Sequence, residues 1–153
     1  MKMIINGKKV DSVSGETFDV LAPATGKVIE SVPKATAEDV EKAIDAAVAG
    51  QKVWEQVPIS ERAKVLYKFL DIVEQNKESL AQTLSAENGK PINEARAEIG
   101  NINIGFSGFI EHAKHYYGSI IPPGTEAGQE SHMQLVTREP IGVVACIIPF
   151  NFP

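Results

Sequence analysis

Few side chains in this chain of 153 residues sit where their types could do chemistry. The clearest is Asn151. It follows an unbroken apolar run, Gly142 to Ile148, and then Pro149 and Phe150. A run so rich in β-branched residues predicts a strand buried on both faces, as in a parallel sheet covered by helices. Open α/β sheets bind ligands just beyond the carboxyl ends of their strands. The spacing therefore puts an amide side chain where such folds do chemistry. A turn-forming Asn fits the same position, and the residues alone leave both readings open.

The other candidates read as structural. Cys146 is the only thiol and lies inside the apolar run. Catalytic thiolates sit in exposed, electropositive surroundings, so Cys146 is expected to be a small buried hydrophobe. His112 and His115 stand one helical turn apart. The usual helical zinc pair is spaced i, i+4 with an intervening Glu, so no metal site is expected and the pair reads as a solvated face. Gly100, Gly105 and Gly108 match neither a dinucleotide fingerprint nor a phosphate loop. Glu94 and Glu98 share a helical face. With Glu87, they read as surface charges for want of a group that would shift their pKa values.

The elements that must position Asn151 follow from pattern. Asn6-Gly7 between Met3–Ile5 and Lys8–Val10 is a strong hairpin signal, because both turn positions need φ > 0. Pro23-Ala24-Thr25-Gly26 predicts a second reversal between Phe18–Leu21 and Val28–Val32. Thr36 and Asp39 resemble a capping box. Val40, Ala43, Ile44, Ala47 and Val48 then share one helical face, with Gly50 as a stop. Ser60 is the expected cap of the next helix, striped by Leu66, Phe69, Leu70 and Val73. Leu80 and Leu84 continue a helix that Gly89 and Pro91 end.

The longest periodic segment runs from Pro91 to about Tyr117 and predicts one long helix. Its three glycines each cost about 1 kcal/mol relative to Ala, which predicts close backbone approach by a neighbour. Ser119 to Gly128 reads as a loop, and His132 to Arg138 as a strand broken by Glu139-Pro140.

Composition bounds the function. An apolar fraction of 43% and a charged fraction of 23% are those of a globular protein. A net charge of −5 with scattered Lys and Arg argues against a nucleic-acid partner. No segment approaches the roughly 18 consecutive apolar residues of a membrane span. The N-terminus has no signal-peptide core, and a single cysteine forms no internal disulfide. A cytoplasmic protein is expected. The chain ends just beyond the apolar run and reads as the opening piece of an enzyme.

In order along the whole chain, several blocks resemble the NAD(P)-dependent aldehyde dehydrogenase superfamily. They are Ile5-Asn6-Gly7-Lys8, Pro23-Ala24-Thr25-Gly26-Lys27-Val28-Ile29, the helix from Ala37 to Trp54, and Glu87-Asn88-Gly89-Lys90-Pro91. The long helix to Tyr117-Gly118, Arg138-Glu139-Pro140-Ile141-Gly142-Val143-Val144 and Pro149-Phe150-Asn151-Phe152-Pro153 follow. The ordered set is highly specific. The resemblance implies an α/β fold: part of a Rossmann-like cofactor domain with N-terminal β-hairpins, a helical layer and the first core strand. It implies residues 1–123 as the N-terminal part of the cofactor domain, 124–140 as a bridging or oligomerisation strand segment, and 141–153 as the first parallel strand.

The resemblance also implies chemistry. In the family a cysteine thiolate attacks an aldehyde, hydride passes to the nicotinamide, and water or coenzyme A releases the acyl group. Asn151 matches the amide that holds the oxyanion of the adduct. Ile147, Ile148, Pro149 and Phe150 match the strand end that lines the NAD or NADP pocket. Phe150, where many members have Trp, is similar to subgroups acting on semialdehydes, lactaldehyde or glyceraldehyde phosphate. The implied partners are a small aldehyde and further copies of the complete enzyme. The family's nucleophile and base lie after the Asn, so this chain alone is expected to be inactive. A non-catalytic module that assembles with a partner chain is the alternative. Such a piece, with its long helix and terminal run uncovered, is expected to be marginally soluble.

Overall fold

The computed structural model describes residues 1–153. Two hairpins come first. β1 (Met3–Ile5) pairs antiparallel with β2 (Lys8–Val10). The turn between them holds Asn6 at φ 51° and Gly7 at φ 70°, the left-handed pair that a two-residue hairpin of this twist requires. β3 (Thr17–Leu21) pairs antiparallel with β4 (Val28–Pro33).

Four helices follow: α1 (Ala37–Trp54), α2 (Ile59–Gln75), α3 (Lys77–Asn88) and α4 (Ile92–Lys114). The capping box at Thr36 is present as expected, with Asp39 bonded back to the Thr36 amide at 2.9 Å. Asp39 does more than cap. It is buried, and it accepts from the Ser12 hydroxyl at 3.0 Å and the Val13 amide at 3.2 Å. One carboxylate thus ties the segment between the hairpins to the start of α1. Ser60 does not cap α2. The helix begins at Ile59 behind Pro58, with no side-chain cap. α3 ends on Gly89 at φ 80°, and Pro91 precedes α4, matching the expected stop.

α4 is the spine. Ala95 and Ile99 pack with Val73 of α2 and with Ala81 and Leu84 of α3. Farther along, Ile110 packs with Ala63 and Leu70 of α2. Ile92 and Ile102 pack beside these clusters, but other apolar side chains of α4 are bare: Ile104 is 73% and Phe109 74% exposed. The expected close approach at the helical glycines is also missing. A Cβ on Gly105 or Gly108 would meet nothing within 4 Å, and one on Gly100 would touch only the Lys77 side chain at 3.5 Å. The stripe on α1 is open too, with Val40, Ile44 and Val48 all exposed.

The final third departs furthest from expectation. β5 (Ser119–Ile121) pairs antiparallel with β6 (Gln134–Val136), a strand shorter than the expected 132–138. Gly142 to Ile148 forms no strand and is not buried: Ile147 is 94% exposed, and Cys146 is exposed too. A strand exists only through its ladder partner, and none of the three two-stranded sheets takes in residues 142–148. The sequence pattern records what the run suits; within these residues nothing supplies it. The mixed α/β class holds, and no helix is long and apolar enough to cross a membrane.

Gly105→Ala should stabilise the chain by about 0.5–1 kcal/mol, since helix entropy improves with no steric penalty, readable as a higher urea midpoint. Hydrogen bonds from Thr36, Ser12 and Val13 lower the Asp39 pKa from 3.8 to about 2. A depressed carboxylate contributes stability above its unfolded pKa and loses it as pH falls through the folded one. The Tm advantage of the parent over Asp39→Asn should therefore be full at pH 6 and shrink as pH falls from about 4 toward 2.

Candidate functional site

The tip that carries Asn151 does not hang free, although the segment before it does. It is held by the turn between α3 and α4. Gly89 accepts the left-handed conformation that lets the chain reverse there, and its Cα faces Pro23 of the second hairpin, where a Cβ would sit 3.2 Å from the Pro23 Cβ. The Ser85 hydroxyl donates to the Lys90 carbonyl at 2.7 Å, and the Gly89 amide to the Ser85 carbonyl at 3.0 Å. Those bonds fix the backbone from which two side chains reach the tip.

Asn88 Nδ2 donates to the Phe150 carbonyl at 2.7 Å. Lys90 Nζ donates to the Asn151 carbonyl at 3.1 Å and stands 4.8 Å from the centroid of the Phe152 ring. The same ammonium is paired with Glu98 of α4, and both side chains are only 11% exposed. Ammonium over an aromatic face is attractive through the ring quadrupole. Glu98 is therefore no surface charge. It is the counter-ion that keeps a largely buried lysine in place, while its Oε1 is buried without a hydrogen-bond partner. Glu87 and Glu94 are exposed, as expected.

α4 is itself registered against α3 by a bidentate pair. Arg96 donates to Glu78 through Nε at 2.8 Å and through a terminal nitrogen at 2.7 Å. The Arg96 hydrogen bonds, helped by Gln82, hold the Glu78 carboxyl at a pKa of about 2. Pairing of this fork geometry gives direction as well as attraction.

The hydrogen bond to its backbone carbonyl is the one Asn151 makes, so its side-chain amide has no partner in the chain. It borders a cavity of about 340 Å³ that Lys90, Glu98, Asn101 and Phe152 also line. Asn151 lines this crevice but does not stand at the end of a buried strand. Ile147, Ile148 and Phe150 are exposed apolar side chains beside it, with Phe150 86% exposed. Cys146 stays apart from this crevice and outside its lining. His112 and His115 make aromatic contacts with Tyr116 and Tyr117 and form no metal-binding group. Sequence reading missed the roles of Asn88, Lys90 and Glu98. For Asn88 and Lys90 a signal was available in the block Glu87 to Pro91, where polar side chains crowd a helix stop; for Glu98 the spacing offered none.

Residues 9–153 match the Aldehyde dehydrogenase family. The 3-sulfolactaldehyde dehydrogenase of Pseudomonas putida is 41% identical over 149 residues, covering 97% of this chain and 30% of that protein. The NADP-dependent glyceraldehyde-3-phosphate dehydrogenase of Bacillus halodurans C-125, solved with NADP, superposes with a TM-score of 0.93 at 34% identity over 99% of this chain and 32% of its own. The NAD-dependent aldehyde dehydrogenase of Sinorhizobium meliloti superposes with a TM-score of 0.89 at 37% identity over 99% of this chain and 30% of its own. The chain thus spans about three tenths of the length of the relatives it matches.

Gly89→Ala should destabilise the chain by about 1–2 kcal/mol, because a left-handed φ strains any residue with a Cβ and Pro23 must also give way. A urea titration checks it: the midpoint should fall for Gly89→Ala, in contrast to the Gly105 variant.

Proposed function

We propose that this chain, which belongs to the aldehyde dehydrogenase family, supplies the oxyanion-holding amide of an enzyme that oxidises an aldehyde with NAD or NADP. One observation carries this reading: Asn151, whose carboxamide has no partner within the chain, lines an open crevice on a tip whose two carbonyls are anchored. A carbonyl under nucleophilic attack builds negative charge on its oxygen. A neutral N–H donor favours that charge without protonating it. The contribution of one such donor is about 2.7–4 kcal/mol of transition-state stabilisation.

Ile147, Ile148, Pro149 and Phe150 are the residues that would hold the cofactor. They fit one wall of a nicotinamide site, since they are apolar and exposed. They bring no charge for a phosphate. NAD or NADP, when bound, supplies the hydride acceptor. The chain's own contribution is to orient the aldehyde oxygen and to exclude water with the exposed apolar ribbon. Phe150, together with relatives named for 3-sulfolactaldehyde and glyceraldehyde 3-phosphate, supports an aldehyde of that small class. Residues 1–123 then belong to the cofactor domain, 124–140 bridge to neighbouring copies, and 141–153 line the site.

The chain's one thiol is five residues before the amide and outside its crevice, and nucleophilic catalysis needs a nucleophile within reach. We therefore expect no reduced cofactor from the purified chain with an aldehyde panel. A second reading, a module that works only with a partner chain, is favoured by the bare apolar surfaces of α4 and residues 141–148.

The experiment is a chimera. Residues 1–153 replace the matching segment of the Pseudomonas putida enzyme, and NADH or NADPH formation is followed. Asn151→Ala in an active chimera should lower kcat by about 10²–10³-fold. An active chimera indifferent to that change would refute the role given to Asn151.

A further inference from the structure

We propose that Lys90 and Asn88 are positioning residues for the Asn151 carboxamide, with Glu98 holding the Lys90 ammonium in the place from which it acts. The catalytic meaning rests on the role proposed for Asn151; the positioning itself does not.

Three observations carry it. First, the tip is anchored across 61 and 62 residues of sequence by side chains donating to consecutive backbone carbonyls, those of Phe150 and Asn151. Two adjacent carbonyls fixed in space set the peptide planes on both sides of the Asn151 Cα, and hence the direction in which its side chain leaves the backbone. Second, Gly142 to Ile148 leading to the tip forms no ladder and is largely exposed. The order at Asn151 therefore cannot be inherited along the chain from a strand. It comes from the α3–α4 turn. Third, an ammonium has three donors and no fixed fork. Lys90 divides them between the Glu98 carboxylate and the Asn151 carbonyl while lying near the Phe152 face. A lysine needed only for solubility would not be 11% exposed against a carboxylate of equal burial.

The chemistry explains why a clamp on the backbone suits this site. An oxyanion donor works when it is aimed before charge develops, so that nothing reorganises during reaction. The side-chain amide must stay unbonded to meet substrate. Its aim is therefore set through its own backbone, and the carbonyls are the groups held here.

The test uses the full 153-residue chain and backbone ¹⁵N relaxation, with circular dichroism as a check on folding. In the parent, order parameters at Phe150 and Asn151 should approach the rigid value of about 0.85, and in Lys90→Met they should fall below about 0.6. Ala95 and Ile99 in α4 should be unchanged. Lys90→Arg, which keeps a cationic donor, should restore most of the order. Asn88→Ala should loosen Phe150 in the same way, and it decides the matter if Lys90→Met fails to fold. A flexible tip in the parent overturns the proposal. So does a tip that stays rigid in a folded Lys90→Met or in Asn88→Ala. An order loss that Lys90→Arg does not repair also counts against it. These readings are independent of turnover. A clamp that behaves as described in a chain whose chimera ignores Asn151→Ala would sink the catalytic reading and leave the positioning intact.

Discussion

One ammonium holds the C-terminal tip of this molecule to its helical layer. Lys90 bonds the carboxylate of Glu98, the carbonyl of Asn151, and lies near the ring of Phe152. Burying a cation is expensive unless it is paired and hydrogen-bonded, and here both conditions are met by groups from α4 and the tip. The arrangement depends on what lies beneath it. Gly89 turns the chain, Ser85 fixes the Lys90 backbone, and the Glu78–Arg96 fork sets α4 against α3. These groups hold the backbone and the helix from which Lys90 and Glu98 meet the tip.

The local chemistry of the first two thirds was legible because it is local. Asn6-Gly7 needs no tertiary partner to prefer its turn. The Thr36–Asp39 box closes within one turn of helix, and Gly89 with Pro91 stops α3 wherever that helix packs. What spacing did not reveal was Asp39 reaching Ser12 and Val13, which lie 27 and 26 residues away. Ser60 illustrates the opposite error. A good capping residue stands one position inside a helix that Pro58 and Ile59 had already begun, Pro58 presetting φ for the start.

The site was half legible. Its block of residues singled out Asn151, which lines an open crevice here. The supporting strand is absent. Gly142 to Ile148 carries the composition of a doubly covered strand, but composition states what a segment suits and not what is beside it. The same holds for Gly105, Gly108 and Phe109 on α4, patterned for neighbours that these residues do not provide. Cys146 follows its ribbon into the open for that reason alone. The physical footing of the family assignment therefore passes from the buried strand to the anchored tip and to the superposition on dehydrogenase structures. Glu98 was misread because an i, i+4 pair of carboxylates on a helix is ordinarily solvated, and only the fold brings Lys90 onto one of the two.

The most direct measurement is a nuclear Overhauser spectrum of the isolated chain with assigned side chains. Cross-peaks between the Lys90 ε-methylene and the Phe152 ring protons, with non-random shifts from Pro149 to Phe152, are required if the tip is seated on the α3–α4 turn. Random-coil shifts and no contact between those two side chains would contradict it, and the aimed carboxamide would lose its support.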